Sequence, residues 1–108
     1  MDSASIEEIF EPFGSVKIKN MFGGKGVYLD GLIVACDIDG DLVFKADATS
    51  SPHFAAAGSR QWSYEHKDGN GKRVFMPYWT VPDAAFDDPD EMGKWVRLAL
   101  EAARRGKK

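Results

Sequence analysis

The sequence predicts a two-layer α+β domain in which helices pack on one antiparallel sheet. Three patterns support this prediction. Alternating strand segments joined by tight turns occupy the first half of the chain, a second hairpin pattern follows a short central helix, and a long amphipathic helix comes last. With 108 residues the chain has the commonest length of one domain, so we expect residues 1–108 to form a single domain.

The first predicted element is a helix over residues 5–11. Ser5 and Glu8 have the spacing of a capping box, in which their side chains satisfy free backbone N–H groups at the helix start. Pro12 and Gly14 then end the helix. Its buried face is predicted from apolar residues at helical spacing, namely Ile6, Ile9 and Phe10.

A meander of three strands is predicted next, over residues 26–29, 32–38 and 42–45. Asp30 and Gly31 between the first two strands are typical of a type I′ turn, with positive φ at the glycine. Residues 39–41 supply the second turn, and residues 16–19 alternate strictly and form a candidate lead-in strand. The glycines within residues 23–26 are expected to make a bulge or a sharp bend.

A second hairpin is predicted after a short helix over residues 52–57, which Pro52 begins and Gly58 ends. Its strands are residues 62–66 and 74–81, joined by a turn at residues 68–71. Pro77 interrupts the second strand because proline has no N–H to donate. That strand should therefore lie at a sheet edge or be bulged at Pro77.

The last predicted helix runs from Asp88 to about Arg104. Asp88 as N-cap and Pro89 at the first helical position are typical of a helix start. Its core-facing residues keep a 3.6-residue period, namely Met92, Trp95, Val96, Ala99, Leu100 and Ala103. We expect Trp95 to anchor this helix in the core.

Composition argues against two classes of protein. The net charge is -3 and the isoelectric point about 5.3, whereas domains that mainly neutralise nucleic-acid phosphates are usually basic. No apolar stretch approaches the length of a membrane span and the first residues lack a signal pattern, so we expect a cytoplasmic protein. Cys36 follows an apolar run and is interpreted as a buried structural residue, with a reactive thiol as the alternative.

Few residues are available for catalysis or metal binding. Residues 23–26 resemble a phosphate-binding loop, but a strand pattern follows them where such a loop needs a helix. His53 and His66 are not at ligand spacing from other metal-binding residues. We therefore expect a protein that is not an enzyme and has no cofactor or metal.

Aromatic side chains are the residues in this sequence best suited to binding a partner. Alternate side chains of strand 74–81 face opposite sides of the sheet, so its aromatics belong either to the core or to an exposed patch. We predict a surface for a protein partner on this strand and on the bend before the first hairpin. Its residues are Met21, Phe22, Pro77, Tyr78 and Trp79.

A basic C-terminal segment supports an alternative function, a weak nucleic-acid-binding accessory factor. The residues are Arg97, Arg104, Arg105, Lys107 and Lys108. Cations also suit the negative end of a helix dipole, so the segment fits either interpretation. A protein-binding domain should show no sequence-specific DNA binding of its own, and we expect no membrane partner with either interpretation.

Residues 21–31, MFGGKGVYLDG, resemble the Met-Phe-Gly-Gly, Gly, Tyr and Asp-Gly pattern of the N-terminal domain of the TfoX/Sxy competence regulators. Similar segments follow in the same order: LVFKAD at residues 42–47, AGS at residues 57–59 and DDPDE at residues 87–91. The resemblance covers about residues 6–104. It implies an α-β(3)-α-β(2)-α fold similar to secretion-chaperone-like domains.

The resemblance also implies a non-enzymatic bacterial regulator that acts through protein–protein interaction, with the transcription machinery as candidate partner. Two-domain relatives regulate natural competence with the cyclic-AMP receptor protein and carry a further C-terminal domain. This chain ends before such a domain, so we expect a stand-alone member, to which competence control does not transfer directly. Pro77 and Trp79 depart from the small polar and tyrosine residues usual in that strand, and we expect a different partner specificity.

Overall fold

The chain forms six strands and three α-helices within residues 1–21, 23–66 and 71–107, the part that the computed structural model describes. The helices are α1 (Ser3–Phe10), α2 (Ser51–Ala56) and α3 (Pro89–Arg105), and two 3-10 helices, Glu11–Phe13 and Asp83–Asp87, precede β1 and α3. The strands are β1 (Val16–Met21), β2 (Gly24–Leu29), β3 (Leu32–Ile38), β4 (Asp41–Lys45), β5 (Gln61–Glu65) and β6 (Arg73–Thr80).

All six strands belong to one antiparallel sheet with the order β1-β2-β3-β4-β6-β5. The predicted α+β class, with helices on an antiparallel sheet, is confirmed. Residues 16–19, expected as a candidate lead-in, are part of the full edge strand β1, whose partner is β2 over six residue pairs. Four strands therefore precede α2.

The turns of the meander follow the prediction. Asp30 and Gly31 have φ of 52° and 80°, the pair of positive values that a type I′ turn requires. At the entry to β2, a Cβ on Gly24 would clash with the backbone oxygen of Asp37, so only glycine lets β2 and β3 approach this closely. The expected positive φ is found at Gly23, which has φ of 79° directly before β2. Most of the predicted turn at residues 68–71 lies outside the described residues.

The start of α1 differs from the prediction. Asp2, not Ser5, is the N-cap: its backbone is extended and its carboxylate accepts a hydrogen bond from Ser5 N–H at 2.8 Å. The helix therefore begins two residues earlier, since a carboxylate at the helix start is as good a cap as a serine hydroxyl. At α3 the prediction is confirmed, because the Asp88 carboxylate accepts from the N–H groups of Asp90 and Glu91.

The main core lies between the sheet and the three helices, all of which pack on the same face. Helix α3 crosses β3 and β4, while α1 lies by β1 and α2 by β6. Trp95 is 7% exposed and its ring centroid lies 4.8 Å from that of Phe54, which confirms that it anchors α3. The largest fully buried side chains of this core are Ile6, Phe10, Val27, Val34, Phe44, Phe54 and Val96.

Strand β6 is an interior strand, so of the two predicted alternatives the edge position is wrong and the bulge is confirmed. Its pairing with β5 jumps from Ser63 opposite Phe75 to Gln61 opposite Trp79, and Pro77 lies in the interrupted stretch. The carbonyl of Pro77 accepts from Ala46 N–H at 2.9 Å, just past the end of β4. A proline is tolerated here because regular pairing is interrupted on one side and ends on the other.

Candidate interaction surface

The sheet face opposite the helices carries a second apolar cluster that no described helix covers. We call this surface the open face. Its cluster consists of buried Cys36, Val43 and Tyr78 with partly buried Met21, Ile33, Ile38, Trp62 and Met76 packed around them. Alternation along the strands places it there, since residues next in sequence to these, such as Phe44 and Trp79, belong to the helix-covered core.

Three aromatic rings form a row across the outer strands of the open face. The ring of Trp62 lies 6.0 Å from that of Tyr64 and 6.3 Å from that of Tyr78. These tilted arrangements and distances are typical of favourable aromatic pairs. Tyr78 is the buried end of the row, whereas Tyr64 is 44% exposed. Tyr64, the outer ring of the row, is therefore accessible to solvent and packs against Trp62.

Beneath this row, Cys36 and Tyr78 pack in the same buried cluster. Burial raises the pKa of both groups above their ordinary values. The thiol of Cys36 is 1% exposed and stays protonated at neutral pH, which makes it unreactive. The structural interpretation of Cys36 is confirmed.

Lysine side chains lie over two tyrosine rings of the open face. Lys19 Nζ lies 4.9 Å from the ring centroid of Tyr28, and Lys45 Nζ lies 5.2 Å from that of Tyr78. Both distances are within the range of a cation–π contact. Lys17 is directly opposite Tyr28 in the β1–β2 register, so it lies on the same face. The open face thus combines an apolar centre with positive charge at β1 and β4.

The predicted partner-binding residues do not lie on one surface. Met21 and Tyr78 share the open face, although Tyr78 is 7% exposed. Pro77 is exposed in the bulge of β6. Trp79 lies on the opposite, helix-covered face, with its ring 6.3 Å from Phe54. Phe22 lies outside the described residues.

Two of the predicted basic residues near the C-terminus are engaged in contacts within the domain. Arg105 donates two hydrogen bonds to the Asp47 carboxylate, at 2.7 and 3.0 Å, and this contact lowers the pKa of Asp47. Arg97 lies over the ring of Phe13 at 5.8 Å. Arg104 and Lys107 are exposed, and Lys108 lies outside the described residues. The pairing of Arg105 ties α3 to the segment that follows β4.

Sequence reasoning did not single out Trp62, Tyr64 or Lys45 as parts of one surface. The available signal was the run Leu32 to Cys36, which is apolar at successive positions and so gives β3 apolar side chains on both faces. Helices can cover one face of such a sheet, and the other face must then bear a second cluster. Which strands neighbour β3 could be learned only from the sheet order.

A sequence profile of the TfoX N-terminal domain matches residues 8–103, which is most of the 108-residue chain. The chain belongs to the TfoX N-terminal domain family. The match extends from α1 into the last turns of α3, so this TfoX N-terminal domain includes both the helix layer and the open face. The search of curated proteins found no matching relative. In the described part of the chain, no helix is both long and apolar enough to cross a bilayer.

Proposed function

We propose that this TfoX N-terminal domain is a non-enzymatic regulatory adaptor that binds a protein partner through its open face. Family membership supports a regulatory role, with control of transcription or competence as the candidate setting. The observation that carries the proposal is the apolar cluster on a sheet face that no described helix covers, with Trp62 and Tyr64 at its accessible side. The centre of the cluster is buried, but Tyr64 is exposed and the residues around the centre are only partly buried; apolar surface left accessible in one patch is typical of interaction sites.

The charges on the open face define the chemistry of the partner. Lys17, Lys19 and Lys45 place positive charge beside the aromatic centre. A complementary partner offers apolar side chains flanked by carboxylates, because opposite charges at the rim steer association and exclude wrong partners. The complex should therefore weaken as ionic strength rises, since rim charges are screened by salt.

A protein partner fits this surface better than a nucleic acid does. Bases bind aromatic platforms by stacking on free ring faces. Here lysine ammonium groups lie over the rings of Tyr28 and Tyr78, and Tyr78 is also buried. The net charge of -3 also opposes a phosphate-binding role. Nucleic acid is the alternative that the experiment must distinguish.

Site-specific photo-crosslinking tests the proposal. A photoreactive phenylalanine analogue is placed at Tyr64 on the open face or at Phe75, a matched exposed aromatic residue. Phe75 pairs with Ser63, the neighbour of Tyr64, and so lies on the other face of the same hairpin. We expect a discrete protein adduct from position 64 in the native cell and none of the same mass from position 75. The adduct protein, purified, should then bind the unmodified domain.

Two results would contradict the proposal. One is an adduct pattern that is the same from both positions. The other is tight, sequence-dependent DNA binding at about 0.15 M salt that survives Tyr64→Ser and disappears when Arg104 and Arg105 are replaced. The second result would support the nucleic-acid-binding alternative.

A further inference from the structure

A cleft on the helix side of the molecule, away from the open face, has an apolar floor. It lies between α1 with its following 3-10 helix and the start of α3, and it encloses about 650 Å³. Ile9, Phe13, Phe86 and Met92 form its apolar lining. Phe86 is 42% exposed, although phenylalanine is usually buried. The described chain therefore leaves a large apolar side chain at the mouth of a cleft without covering it.

The rim of this cleft is acidic. Glu8, Glu11 and Asp90 are exposed lining residues. The flanking segments reinforce their charge: residues 3–13 contain three glutamates, residues 83–91 contain five acidic residues, and neither segment contains lysine or arginine. Two positive groups also line the cleft: Arg97, which lies over the ring of Phe13, and the N-terminal ammonium of Met1, which pairs with Asp37 at 3.4 Å. The exposed side-chain charges at the cleft mouth are therefore mainly negative, opposite to the lysines of the open face.

A glycine inside α3 also points to a need for space in the cleft. Gly93 lines the cleft, in the second turn of a 17-residue helix. A Cβ there would lie 3.7 Å from Phe13 Cζ, an ordinary van der Waals contact, so the fold itself would accept alanine. Glycine in a helix interior costs about 0.5 to 1 kcal/mol relative to alanine. Gly93 therefore keeps the cleft wide, although alanine at this position would make the helix more stable.

We propose that this cleft is a second docking site, whose occupant is a cationic amphipathic helix of a partner protein. An apolar groove between helices is the surface on which the apolar face of such a helix is buried. Lysine or arginine residues beside that face would meet Glu8, Glu11 and Asp90 at the rim. With an acidic cleft on one side and a basic open face on the other, the domain can hold two partners of opposite charge at once. The inference goes beyond the proposed function, which needs the open face alone.

The experiment uses a defined probe, a labelled peptide of leucine and lysine with leucines at helical spacing along one face. Fluorescence anisotropy measures its affinity for the full chain. A peptide of the same composition in scrambled order and a leucine–glutamate peptide are the controls for shape and charge. We expect saturable binding of the patterned cationic peptide, at least about tenfold tighter than either control.

Two pairs of matched variants locate the binding site. Phe86→Ser should weaken the patterned peptide at least about tenfold, while Phe75→Ser, at an aromatic residue outside the cleft, should change it less than about twofold. The double variant Glu8→Gln and Glu11→Gln should weaken binding about threefold or more at low salt, whereas Asp30→Asn with Glu65→Gln, the same charge change outside the cleft, should not. The four carboxylates are exposed, so both double variants keep the fold.

The proposal is overturned if the scrambled peptide binds as well as the patterned one, if both double variants weaken binding equally, or if Phe86→Ser binds like Phe75→Ser. The first two outcomes would show that net charge alone attracts the peptide. Tyr64→Ser on the open face should leave this affinity unchanged. The peptide affinity therefore tests the cleft, and crosslinking at Tyr64 tests the open face, so either proposal can be refuted without the other.

Discussion

Truncating Trp95 tests how the helix layer is held on the sheet. The indole is 7% exposed, and its ring lies 4.8 Å from Phe54, which lies 6.3 Å from Trp79. Removing a buried tryptophan side chain typically costs about 3 to 5 kcal/mol. Since small domains are stable by only about 5 to 15 kcal/mol, Trp95→Ala should remove a large share of the stability.

Trp95→Phe separates packing from hydrogen bonding at the same position. Trp95 Nε1 is buried and has no hydrogen-bond partner among the described residues. A buried donor without a partner costs about 1 to 3 kcal/mol, and phenylalanine removes that donor. The smaller ring leaves a cavity that costs about 1 to 2 kcal/mol. The two effects oppose each other, so Trp95→Phe should lie within about 1 kcal/mol of the wild type.

Urea unfolding followed by far-ultraviolet circular dichroism measures both variants, because this signal does not depend on tryptophan fluorescence. Stability is compared from the midpoints at a common slope. Trp62→Phe on the open face is the control for a general loss of indole. A loss below about 1 kcal/mol in Trp95→Ala would refute the role of Trp95 as the core anchor of α3. An equal loss in Trp95→Phe and Trp95→Ala would contradict the expectation that removing the unpaired N–H offsets the lost packing.

Three further predictions concern the backbone and the surface. Gly31→Val should lower the free energy of unfolding in urea by more than about 1 kcal/mol, because φ is 80° at this position and a β-branched residue resists positive φ. An unchanged urea midpoint would refute the turn assignment. Gly93→Ala should add about 0.5 to 1 kcal/mol to the free energy of unfolding and so raise the melting temperature, because the added methyl group only touches Phe13. A lower melting temperature would show that the methyl group clashes. Arg105 lowers the pKa of Asp47, so the contact stabilises the fold above about pH 4 and less as pH falls through the folded-state value. Arg105→Gln should therefore lower the melting temperature only slightly at pH 7, because the pair is partly exposed, and its melting temperature should converge with that of the wild type in acid.

Local patterns were sufficient to predict most elements of the fold. The Asp30-Gly31 turn and the Asp88 cap of α3 depend on residues close in sequence, whose backbone preferences are strong. The cap of α1 was misassigned because Asp2 and Ser5 are both good N-cap residues and sequence alone does not rank them. Trp95 was assigned correctly because its helical period extends over several turns.

The arrangement of strands could not be predicted, and the candidate site depends on it. From sequence, Pro77 was compatible with either an edge strand or a bulge. The bulge is the correct alternative because β5 lies outside β6 in the sheet and makes β6 an interior strand. The same sheet order brings Met21 and Tyr78 to one face and places Trp79 on the other. Long-range pairing of this kind is not encoded in any local window. The acidic cleft likewise requires α1 and the start of α3 to be neighbours, although they lie far apart in sequence.

The purified crosslinked protein shows whether the open face binds a protein partner. The measurement is its affinity for three domains: wild type, Tyr64→Ser and Phe75→Ser. We expect Tyr64→Ser to weaken binding at least about tenfold, because an exposed ring that packs on Trp62 is a typical interface anchor, and Phe75→Ser to change it less than about twofold. Equal affinity for Tyr64→Ser and the wild type, or a larger loss in Phe75→Ser, would contradict the claim.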